Sequence, residues 1–97
     1  MKLKINAIHF ELSSDLEKTT QDKVASIEKY LDKIISAEVT MKADKTSDKK
    51  KTVSLRLDVP GHDLFAEKEG EVFEKALDAA VEAVKVQIQK YKEKQKK

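Results

Sequence analysis

The chain has 97 residues, 39% of them apolar and 39% charged, with a net charge of +2 and no cysteine. That length supports one domain with a thin core, and the composition excludes a disulfide framework and a thiolate metal site. No apolar run approaches the ~20 residues of a membrane span, and Met1-Lys2-Leu3-Lys4-Ile5-Asn6 lacks the apolar stretch of a secretory signal, so the expected location is the cytoplasm.

Leu3 and Ile5 alternate with Lys4 and Asn6, and Ile8 and Phe10 alternate with His9 after a shift of phase near Ala7. This predicts a first strand with a bulge in it. Ser14 followed by Glu17 fits a capping box. A first helix is expected over 14–34, with Leu16, Thr20, Val24, Ile27, Leu31 and Ile34 as its apolar stripe. Val39, Met41 and Ala43 mark a second strand, and the polar run 44–51 reads as an exposed hairpin tip. Val53, Leu55, Leu57 and Val59 alternate with polar residues and give the clearest strand. Pro60-Gly61-His62-Asp63 reads as a turn, and Leu64 and Ala66 begin a short fourth strand ending near Lys68. After Gly70, a second helix is expected over 72–94, with Leu77, Ala80, Val81, Val84 and Ile88 on one stripe.

The expected fold is therefore a single α+β domain, β-α-β-β-β-α, with a four-stranded sheet and both helices packed on one face. Its expected core holds Leu3, Ile5, Val24, Ile27, Leu31, Val39, Met41, Val53, Leu55, Leu57, Leu64, Leu77, Val81, Val84 and Ile88.

Charge is laid out unevenly. Residues 42–51 carry +3, residues 52–84 carry −5 and residues 85–97 carry +5. A helix apolar at one end and lysine-rich at the other suits a polyanionic partner. Little suits catalysis. His9 and His62 lack ligand spacing, the only glycines are Gly61 and Gly70, and Glu67, Glu69, Glu71 and Glu74 alternate with lysines on what reads as a solvated face. No enzyme activity, metal, cofactor or small-molecule substrate is expected. The five aromatic residues are scattered, so RNA recognition would rest on shape and backbone charge.

The run from Ala76-Leu77-Asp78 to Lys92-Glu93-Lys94 resembles the signature helix of bacterial ribosome hibernation-promoting factors, a pattern close to A-I-D-x-x-x-D-K-L-x-R-Q-L-x-K-x-K-x-K. Glu69-Gly70 stands where that family has an E-G pair, and the segment Lys23 to Leu31 is similar to its K-x-x-K-L-x-x-Y-F. The resemblance spans essentially the whole chain. It implies a layout like that of double-stranded-RNA-binding domains. It also implies binding to the small ribosomal subunit and its rRNA, at the mRNA channel and the A- and P-site region, with inhibition of translation in stationary phase. By position, Lys23, Lys90, Lys92 and Lys94 match family lysines. Lys29, Lys33 and Lys85 join them as RNA-binding candidates from charge and helix location. Ser26, Ala83 and Val86 stand where the pattern has cations, and Val72-Phe73-Glu74 replaces its D-M-Y. The chain stops after the second helix and so resembles the short form, expected to be a monomer. Its residues 90–97 are expected to be a basic, frayed tail. Helix-one and helix-two lysines should form one positive surface, with Lys45, Lys49, Lys50 and Lys51 of the hairpin as a second, more flexible contact. The rival expectation is a protein-interaction module that does not bind ribosomes.

Overall fold

Strand β1, Lys2–Ile8, runs parallel to β2, Ser36–Ala43, from Lys2↔Ser36 to Ile8↔Lys42. Two antiparallel hairpins then add β3, Lys51–Val59, and β4, His62–Gly70, giving the sheet order β1-β2-β3-β4. Helix α1, Ser14–Ala25, lies between β1 and β2, and α2, Phe73–Gln95, follows β4. This computed structural model describes residues 2–44 and 50–95, with side chains through residue 93.

Alternation puts one residue from each strand into rows across the sheet. Leu3, Ala37, Leu57 and Leu64 form one row, and Ile5, Val39, Leu55 and Ala66 the next. Val53, Leu55, Leu57 and Val59 are all at most 1% exposed, so β3 sends its apolar side under the helices as expected. From above, Val24 and Ile27 on one side and Leu77, Val84 and Ile88 of α2 on the other close the same core. Leu3 and Ile5 are only half-buried, because β1 is an edge strand.

Three expectations for the first third of the chain need correcting. The first strand has no bulge: its register is unbroken, and the chain leaves it at His9, whose φ of 65° lies in the left-handed region. Phe10 turns onto the margin of the core there, half-buried, and stacks on Phe73, ring centroids 4.4 Å apart. The cap of α1 is Ser13, whose hydroxyl accepts from the Leu16 N–H at 3.1 Å, so Ser14 is the first helical residue. Finally, α1 ends at Ala25 and tightens into a 3-10 turn, Ser26–Lys29. The Ser26 hydroxyl donates to the Lys23 carbonyl at this junction, at 2.6 Å. Leu31 and Ile34 are buried, but on irregular backbone.

The fourth strand is longer than expected and begins at His62 itself. Pro60 and Gly61 alone form the turn; Gly61 has φ 75°, which fits position i+2 of a type II turn after proline. The outer edge of β4 is covered by α2. The Gln87 side chain accepts from the Phe65 N–H at 3.0 Å and donates to the Phe65 carbonyl at 2.5 Å. One amide thus replaces a neighbouring strand at that point and blunts an edge open to aggregation.

Candidate nucleic-acid interface

Helix α2 presents two lines of side chains on either side of its buried stripe. Asp78, Glu82, Lys85, Gln89 and Lys92 recur at steps of three and four, on the side facing α1 and the 3-10 turn. Lys23 of α1 reaches across to form an ion pair with Asp78. One turn and more along, the Lys85 ammonium sits 5.0 Å above the Tyr30 ring and 3.6 Å from Glu82. Lys85, Val86, Gln89 and Lys92 line a shallow groove with Tyr30, and Glu82 stands at its acidic end. The line therefore runs from acidic to cationic, and Lys23 offsets its acidic start.

The other line holds Gln87, Lys90 and Tyr91 and faces the β3–β4 turn. Lys90 and Lys92 are two residues apart, or about 200° around a helix. They line different depressions, on opposite sides of α2. The expectation of one surface therefore divides: Lys23, Lys85 and Lys92 follow the interhelical groove, and Lys90 stands apart. Lys29 is exposed on the 3-10 turn. Lys33 is exposed on the loop before β2 rather than on a helix. Lys29, Lys33, Lys90 and Lys92 form no ion pair among the described residues. Lys94 lies on the last helical turn, and its side chain is outside the described residues; α2 itself continues to Gln95 through most of the expected tail.

Of the hairpin lysines, Lys45 and Lys49 lie outside the described residues. Lys50 pairs with Glu69 at 3.6 Å, and the Lys51 ammonium stands 5.9 Å over the Phe73 ring. Each thus has a neighbour on the folded body, Glu69 on β4 for Lys50 and Phe73 on α2 for Lys51. The open face of the sheet carries mixed charge. Arg56 is bonded to Asp63 at 2.5 Å, and that hydrogen bond, with the carboxylate's charge, raises the guanidinium pKa still further.

Sequence reasoning missed three partners: Asp78 for Lys23, Tyr30 for Lys85, and Tyr91 for His62, whose rings lie nearly parallel with centroids 6.1 Å apart. Each joins residues far apart in the chain, and spacing carries no signal for such contacts. Among the described residues no His, Asp and Glu cluster could hold a metal ion, and no helix is long and apolar enough to cross a membrane.

The family described as Sigma 54 modulation protein / S30EA ribosomal protein matches residues 3–96. The chain belongs to this family. Among relatives, the ribosome hibernation promoting factor of Pseudomonas putida is 34% identical over 95 residues, which is 98% of this chain and 90% of that protein. The factor of the same name from Escherichia coli K12 is 29% identical, across 99% and 98% of the two chains. A ribosomal subunit interface protein from Coxiella burnetii superposes with a TM-score of 0.86 at 24% identity, covering 95% of this chain and 98% of that one. The N-terminal domain of Protein Y from Thermus thermophilus gives 0.82 at 22% identity, covering 94% and 99%. At such identities these two structures speak for the shared fold. The family match itself includes both helices and every candidate lysine from Lys23 to Lys94.

Proposed function

We propose that this chain is a ribosome hibernation factor that docks on the small subunit in the cytoplasm and blocks translation in stationary phase. The single observation that carries the surface assignment is the cationic end of the α1–α2 groove. There Lys85 and Lys92 share one line of α2 and Lys29 lies on the adjoining 3-10 turn. Family membership supplies the partner: relatives that match almost end to end bear the name ribosome hibernation promoting factor.

The mechanism is binding and occlusion rather than bond chemistry. Lysines on the two helices displace condensed counterions from rRNA phosphates, which drives docking and makes it salt-dependent. Lys23 is shared between Asp78 and RNA, so its contact costs part of an existing ion pair. The rigid sheet holds both helices at a set spacing, and a folded body in the mRNA channel, at the A- and P-site region, excludes mRNA and tRNA. The whole span 1–97 acts as one ribosome-binding unit, as a monomer and without a cofactor.

Sedimentation tests this reading. In lysates of starved cells the protein should travel with small subunits or whole ribosomes and leave them as salt rises. A protein confined to the soluble fraction at low salt, or one captured by a protein partner after RNase treatment, would refute it.

A further inference from the structure

The second line of α2 leads to a notch that the proposed docking surface does not use. Its walls are the Pro60-Gly61 turn, His62, Lys90 and Tyr91, and its floor is Leu64, 3% exposed. The Tyr91 hydroxyl donates to the Pro60 carbonyl at 3.2 Å and so pins the ring against the turn. The His62 ring lies nearly parallel to it, at an interplanar angle of 10° with centroids 6.1 Å apart. The turn sets His62 at the head of β4, opposite Val59. Lys90 stands exposed at the rim with no ion-pair partner among the described residues. The nearby carboxylate of Asp63 is engaged by Arg56 on the open face of the sheet.

We propose that this notch takes one unpaired nucleobase of the bound RNA, stacked on the aromatic pair, with Lys90 on an adjoining phosphate. The inference rests on the ribosome-binding reading above. Two near-parallel aromatic faces suit a flat ring, and every base has a π-face to offer. A cation at the rim suits the charged backbone that comes with the base. Leu64 and Pro60 are the aliphatic part of the lining, and His62, Tyr91, Gln87 and Lys90 make its other side chains aromatic or polar, a mix that suits the face and the edge of a base. Lys90 here and Lys92 in the interhelical groove would then hold RNA on both sides of the C-terminal half of α2. An aromatic platform thus exists although no sequence motif announces it, because His62 and Tyr91 are 29 positions apart.

Two experiments test it. Nuclear magnetic resonance titration of the full chain would compare a short oligoadenylate with an abasic oligomer of equal length. The oligoadenylate should shift the ring signals of His62 and Tyr91 and bind about tenfold more tightly than the abasic chain. Equal affinities, or shifts that miss both rings, overturn the proposal. On purified small subunits, His62→Ala combined with Tyr91→Leu should weaken binding about tenfold. Tyr91→Phe, which keeps the ring and loses only the bond to Pro60, should recover most of that. His62→Ala alone, at an exposed position, serves if the double variant unfolds and should weaken binding severalfold. Undiminished binding by these variants while the unaltered protein binds removes the notch and leaves the ribosome reading standing. Failure of the unaltered protein to bind small subunits removes both.

Discussion

Neutralising Lys85 and Lys92 together, as Lys85→Gln and Lys92→Gln, should flatten the salt dependence of small-subunit binding. Each phosphate contact contributes about 0.7 to 0.9 to the slope of log K against log salt, so losing two lowers the slope by about 1.5. Over a fourfold rise in salt, the unaltered protein should then lose about eightfold more affinity than the variant. The fold should tolerate the change. Lys92 makes no ion pair among the described residues, and Lys85 gives up one exposed i,i+3 pair with Glu82 and its contact with Tyr30. Those are worth about 0.5 kcal/mol and about 0.5–1 kcal/mol, a small part of a typical domain stability. Circular dichroism melting would check this. Fluorescence-detected binding to purified small subunits over a salt series reads the slope. The matched control is Lys2→Gln with Lys4→Gln, which removes the same charge from the open sheet face, where both lysines are exposed. If the control lowers the slope as much as the helix pair does, binding follows net charge and the groove assignment is wrong.

Three further outcomes follow from the same structure. Asp78→Asn releases Lys23 from its ion pair and removes a negative charge beside the groove; small-subunit affinity should rise severalfold at low salt, and a fall would show that the pair positions Lys23 for binding. Leu77→Ala empties a fully buried site between α2 and the sheet and should cost about 2–5 kcal/mol in urea unfolding; a loss below about 1 kcal/mol would mean that the core closes over the gap. Gly61→Ala meets no atom within 4 Å, so its cost comes from φ 75° alone and should be about 1–2 kcal/mol by the same assay; no cost would mean that the turn changes type.

What the sequence made legible is the part governed by alternation and periodicity. Val53, Leu55, Leu57 and Val59 announce a strand with one buried face, and the stripe Leu77, Ala80, Val81, Val84 and Ile88 announces α2 and the side it buries. The end of α1 was not legible. Val24 and Ile27 are three apart in an α-helix or a 3-10 turn alike, and Leu31 and Ile34 keep the rhythm on irregular backbone. The same limit misled in β1: Ile8 is an exposed residue of an unbroken strand, and only Phe10 is redirected by the left-handed backbone at His9. For the site, lysine identity was visible and lysine direction was not fully drawn from it. Lys90 and Lys92 fall on opposite sides of α2 through helical geometry alone. The contacts that set each cation's neighbours, Asp78 on Lys23 and Tyr30 under Lys85, form only once both helices lie on the sheet.

Lysine acetylation footprinting on the small subunit, read by mass spectrometry, reports which face of the chain the ribosome covers. The chain alone should be acetylated readily at Lys29, Lys92, Lys2 and Lys4, all exposed. Addition of small subunits should protect Lys29 and Lys92, along with Lys23 and Lys85, and leave Lys2 and Lys4 reactive. Protection of Lys2 and Lys4 with the helix lysines still reactive would place the ribosome on the opposite face of the sheet and contradict the account.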